Sequence, residues 1–200
     1  MAIVDGHTRG EPIAQPSEFE RRRRPGPSAL RVAAWAVMAL ALLLRLRIYL
    51  FDRDLFLDEA MLAVNLNERT FAGLAQVLDY NQGAPLGFLV ASKLAVLWLG
   101  EADRVLRLLP FLASLASVFL FYAVARRVLG PFGLVCALAL FAVGHDLVNF
   151  AGQFKQYSSD VALALLIAWL ALRILDGRAG PGAAVPLAIA GAAAVWLSHA

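Results

Sequence analysis

Residues 29–51 read ALRVAAWAVMALALLLRLRIYLF, and this run decides the fold. As a helix rising 1.5 Å per residue it is about 34 Å long, enough to cross a hydrocarbon core of roughly 30 Å. The composition agrees. Hydrophobic residues make up 60% of the chain and charged ones 16%, with a mean hydropathy of +0.69. A soluble domain is nearer half apolar and a quarter charged. The chain is therefore expected to be an all-α integral membrane protein, a multi-span helical bundle. Its single cysteine, Cys136, lies in an apolar run. That excludes a disulfide framework and any cysteine-based metal motif, and Cys136 reads as a small apolar helix residue.

Upstream, residues 1–28 scatter Gly6, Pro12, Pro16, Pro25 and Pro27 among polar side chains. Such a segment cannot bury enough apolar surface to offset the entropy of ordering, so it is expected to be a disordered tail. Arg21 to Arg24 supply much of the net charge of +3. Basic clusters can bind nucleic acid, but beside a hydrophobic helix the positive-inside rule accounts for them, and no nucleic-acid partner is expected. A cleaved signal peptide does not fit, because the run is too long and no small-residue cleavage site follows. The tail is then cytoplasmic, and the first span leads out through the cell (inner) membrane.

Downstream, further spans are expected at about 108–129, 132–150 and 161–175, with an unfinished one at 186–197. The run Leu86 to Leu99, LGFLVASKLAVLWL, contains Lys93 and is about 21 Å as a helix, which suits an interfacial or re-entrant segment. Arg126-Arg127 and Arg173 with Arg178 mark cytoplasmic ends. Parity then requires 86–99 to lie along the outer surface; were it to cross, Arg126-Arg127 would fall outside. The loop 52–107 and the connection 151–160 both face the outer side. Arg45 and Arg47 run against the charge rule, and either snorkel to headgroups or face inward as part of an anion site.

The outer loop opens with FDRDLFLDEAMLAVNLNERTFAGLAQVLDYNQGAP, residues 51–85. Asp58 and Glu59, the candidate catalytic carboxylates, begin a helix expected at about 58–69, whose Met61, Leu62, Val64 and Leu66 rest on lipid or on other helices. Neighbours on a helix point about 100° apart, so only one carboxylate can aim into a given pocket while the other caps the helix. A solvated, acidic helix N-terminus is the plain alternative. Residues 153–160, QFKQYSSD, add Lys155, Tyr157 and Asp160 at the start of a span. A charge there belongs at the interface or in a polar cavity, since insertion into hydrocarbon costs about 2.5–3.5 kcal/mol. Snorkelling competes for Lys155 and helix capping for Asp160. Arg104 and Arg107 share a helix face at i, i+3 spacing; paired cations suit a phosphate, and headgroup anchoring accounts for them equally.

The order of these features resembles the GT-C membrane glycosyltransferases, in particular the protein O-mannosyltransferase and aminoarabinose transferase branch. The resemblance rests on a first span, Leu57-Asp58-Glu59 opening a long outer loop, a segment started by Pro85, Arg107-Leu-Leu-Pro110, and Tyr157-Ser-Ser-Asp160 before another span. It covers about residues 47–175 and implies a multi-span bundle with juxtamembrane helices in the first outer loop. It also implies transfer of a sugar from a polyprenyl-phosphate carrier to a lipid, polysaccharide or protein acceptor on the extracytoplasmic face. Carried over, Asp58 acts at the acceptor as general base, Arg107 and Lys155 meet the carrier phosphate with Arg104 nearby, and Tyr157 and Asp160 shape the sugar pocket. Two departures put the mannose donor in doubt. Gly83-Ala84-Pro85 stands where mannosyltransferases have His-Pro-Pro, and Val161-Ala162 stands where they have a proline.

No cofactor is demanded; oxygen ligands at Asp58 and Asp160 leave a divalent cation open. His145 and Asp146 are too few for a metal site on their own, and His199 has no reading. Because family members are far longer and this chain stops in an apolar segment, it is expected to be an N-terminal portion, inactive by itself. A membrane transporter or a non-catalytic membrane subunit is the competing reading; against transport, the spans lack paired Gly/Pro-broken helices and the charges gather on one side.

Overall fold

The computed structural model describes residues 26–51, 53–177, 182 and 184–198, all helix, turn and loop with no strand among them. The expected tail up to residue 25, with Arg21 to Arg24, lies outside the described residues, as do Asp52, Arg178 and His199.

The first span, α1, is Pro27–Leu50. It begins two residues before the expected boundary because Pro27 is preset for a first helical turn, where its missing N–H costs nothing. After α1 follow α2, Leu57–Glu68, and α3, Leu86–Leu99, then a short helix α4, Asp103–Leu106. The bundle resumes with α5, Leu108–Val128, then α6, Pro131–Val143, and α7, His145–Asn149. It ends with α8, Tyr157–Leu175, and α9, Ala184–Leu197. α1, α5 and α8 are each long and apolar enough to cross a membrane.

The expected continuous span 132–150 is broken instead. α6 and the following segment to Gly152 are bent by 59° at Gly144, whose φ of −54° and ψ of 114° are not helical. Glycine is a poor helix former, and the polar pair His145-Asp146 follows it directly. The expected connection 151–160 is also shorter, since Tyr157 to Asp160 form the first turn of α8. α9 has 14 residues, below the length of a full crossing.

The bundle core holds Ala34, Met38 and Ala41 of α1 against Val118, Leu138, Phe141 and Ala142. Positions 34, 38, 41 and 45 form one stripe at helical spacing, so Arg45 continues the inward face. Arg47, two positions on, lies about 200° around the helix and is exposed. The two arginines thus part company. Arg45 is fully buried, with Nε donating to Ser114 Oγ at 3.0 Å, Nη1 to Ala41 O at 3.0 Å and Nη2 to Phe141 O at 3.4 Å. Phe141 O is one of the carbonyls that α6 leaves unpaired by ending at Val143. Arg45 therefore staples three helices at the bend through neutral acceptors.

Two groups of residues mark the two ends of the bundle. At one end the α1 terminus meets the loops: Tyr49 stacks on Phe111 at 4.2 Å and donates to Arg104 O at 3.0 Å, while Arg53 reaches Gly152 O at 3.2 Å. The end of α9 arrives at this same place, where a Cβ on Gly87 of α3 would lie 2.6 Å from Trp196 O. At the other end Arg31 and Arg126 share a groove, and Arg127 lies 3.6 Å from Asp176. The N-terminal end of α1 and the C-terminal ends of α5 and α8 thus carry basic residues at one end of the bundle.

Candidate functional site

The segment between α1 and α5 folds as a cap, its core completed by Phe154. Leu62, Ala63 and Leu66 of α2 pack with Leu74, Leu78, Phe88, Leu89, Val96, Leu106 and Phe154. Of the apolar α2 residues expected to be in contact, Leu62 and Leu66 are fully buried, Met61 half-buried and Val64 exposed. Burying a leucine or phenylalanine side chain contributes about 1.5–3 kcal/mol, so a few such residues order the segment. Side chains then bind its free backbone ends. Lys93 Nζ donates to Leu66 O at 2.7 Å, closing the C-terminal turn of α2, and Asn65 exchanges hydrogen bonds with the backbone of Asp79.

At the start of α2 the two carboxylates diverge. Glu59 Oε2 accepts from Phe56 N–H at 2.9 Å, the carboxylate half of a capping box. The same oxygen lies 3.0 Å from Arg53 Nη2, and Oε1 accepts from the N–H of Phe154. Glu59 is 1% exposed, with both oxygens engaged. It ties α2 to the 150–156 segment. Gly152 brings that segment against α1, where a Cβ would collide with Ile48 Cγ2.

One helical step away, Asp58 has a 58% exposed side chain, and its Oδ2 lies 3.2 Å from Lys155 Nζ. Lys155, 10% exposed at its side chain, also donates to Gln82 Oε1 at 3.1 Å. An ammonium has three N–H donors, so two are engaged and one is left among the described residues. Gln82 was not singled out from the sequence. It follows Tyr80 and Asn81, both left-handed at φ of 60° and 54°. Asparagine tolerates that region, whereas tyrosine pays roughly 1–3 kcal/mol for it. Asn-Gln-Gly announces a turn, but nothing in the sequence links it to Lys155.

The structure thus brings together Asp58, Lys155 and, beneath them, Glu59. Arg107 is 1% exposed at the start of α5, while Arg104 is exposed on α4 beside Asp54 and Asp103. Their i, i+3 spacing is therefore interrupted by the end of α4, where Arg107 is the cap. Tyr157 packs against Phe150 with ring centroids 4.8 Å apart and planes tilted by 45°. Asp160 is half-buried, and its Oδ1 has no hydrogen-bond partner among the described residues. Buried Ser158 Oγ and Gln156 Oε1 share that condition, so three covered polar atoms at the first turn of α8 have no hydrogen-bond partner among the described residues. His145 and Asn149 pair at 2.8 Å at the bend. No three His, Cys, Asp or Glu side chains gather as metal ligands among the described residues.

Fold and site together define an all-helical membrane protein with a folded cap at one end of its bundle. No family model, curated protein or solved structure matches the chain.

Proposed function

We propose that this chain belongs to a GT-C type glycosyltransferase that moves a sugar from a polyprenyl-phosphate carrier to an acceptor on the extracytoplasmic face, with its N-terminus in the cytoplasm. The observation that carries the reading is the pairing of exposed Asp58 with mostly covered Lys155. A carboxylate open to solvent can take the proton of an acceptor hydroxyl as its oxygen attacks the anomeric carbon, a step typically worth 10²–10⁴-fold. The leaving group is a lipid phosphate whose charge grows in the transition state, and a cation already in place stabilises it.

The ion pair suggests how the two halves are coupled. An arriving phosphate engages the remaining N–H of Lys155 and draws the ammonium towards itself. Asp58 is then released to the acceptor. Gln82, held by its strained turn, keeps Lys155 aimed during the exchange. Arg107 supports the phosphate from the buried side, and Tyr157 with Asp160 borders the sugar.

The bend at Gly144 favours transport as a second reading, because a broken helix around a buried arginine is a feature of substrate pathways. One experiment separates the two. The complete gene product is reconstituted in membranes with a radiolabelled polyprenyl-phosphate sugar, and wild type is compared with Asp58→Asn at matched expression. Transfer lost in the variant, with donor binding kept, is the expected result. Equal transfer removes Asp58 from the chemistry, and absence of both transfer and donor binding in the wild type favours transport.

A further inference from the structure

We propose that the groove between α1, α5 and α6, at the end of the bundle opposite the cap, binds an anionic phospholipid. The groove is about 320 Å³ and combines exposed Arg31 and Arg126 with half-buried Tyr122 and Leu134 and buried Ala34. One part is cationic and the other apolar, the two chemistries of a lipid headgroup phosphate and the top of its acyl chain.

Three observations separate this groove from ordinary interfacial arginines. Arg31 and Arg126 have no carboxylate partner among the described residues, whereas the neighbouring Arg127 is paired with Asp176. Arg126 lies 5.3 Å over the Tyr122 ring, which holds the guanidinium in place while its N–H edge stays available for a phosphate fork. Arg31 stands near the N-terminus of α1, which has no acidic residue in its first turn. The helix dipole is positive there, so a cation is unfavourable unless an anion joins it. Basic pockets between membrane helices bind anionic headgroups on these terms. The proposal is independent of the reaction assigned to the cap.

Native mass spectrometry of the full chain in detergent tests it, with dioleoyl phosphatidylglycerol, dioleoyl phosphatidylcholine or glycerol 3-phosphate added at equal concentration. Phosphatidylglycerol is expected to be retained preferentially. Arg31→Gln and Arg126→Gln should each weaken retention roughly fivefold, and the double variant should abolish the preference. Leu134→Trp, which fills the apolar part and keeps both arginines, should weaken it too. Arg173→Gln removes a charge of the same end that is held over Trp169 instead, and should change nothing. Equal retention of the two lipids, an equal loss in Arg173→Gln, or glycerol 3-phosphate binding as well as the lipid would each overturn the proposal.

Discussion

The cap and the bundle are built from the same apolar alphabet and hold together differently. The cap core is made of large side chains, among them Leu62, Leu66, Phe88, Leu89, Leu106 and Phe154. In the bundle, Ala34, Ala41 and Ala142 alternate with Met38, Val118, Leu138 and Phe141. In water the gain comes from removing apolar area, which favours large side chains. In lipid that gain vanishes, and helices associate through close approach at small residues and through polar contacts. Polar groups differ accordingly. The cap carries ion pairs around Arg53, Arg69 and Lys155, while in the bundle interior buried Arg45 is bound to neutral oxygens.

This contrast predicts that the two regions can be damaged separately. The largest effect is expected on activity. Asp58→Asn should lower sugar transfer by about 10²–10⁴-fold and leave thermal stability within the small range of an exposed ion pair. Transfer assays with parallel melting curves check both parts.

Next comes Glu59→Leu, which removes the acceptor of two backbone N–H groups and leaves Arg53 without its buried partner. The loss should be about 3–5 kcal/mol, confined to the cap. Hydrogen exchange should accelerate over 53–107 and 150–156 while α5 and α8 keep their protection. Equal loosening of the bundle would mean that the two regions fold as one.

Leu62→Ala should cost the cap about 2–5 kcal/mol through its cavity, with the same pattern of exchange. Arg45→Met reverses the pattern. It leaves Phe141 O unpaired at the bend, an expected loss of about 1–3 kcal/mol read as a lower melting temperature in detergent, with the cap's exchange unchanged. The smallest effect belongs to Gln82→Leu, which removes one hydrogen bond of Lys155. It should weaken donor binding by about tenfold or less, corresponding to roughly 1 kcal/mol, as measured by titration with the labelled carrier.

The sequence by itself determined what depends on neighbours along the chain. Length and hydropathy located α1, α5 and α8, and the short run of α3 fell below the length of a full crossing. The 100° step between Asp58 and Glu59 already required them to part. Which one turned inward was decided elsewhere, by Phe154 N–H and Arg53 closing on Glu59. Tertiary structure likewise decided that Lys93 closes α2, that Arg45 holds a bent helix and that Gln82 meets Lys155. The physical reason is common to all of these. Each is a distant side chain satisfying a backbone end or a charge that local structure leaves open, and hydropathy carries no record of which partner will arrive.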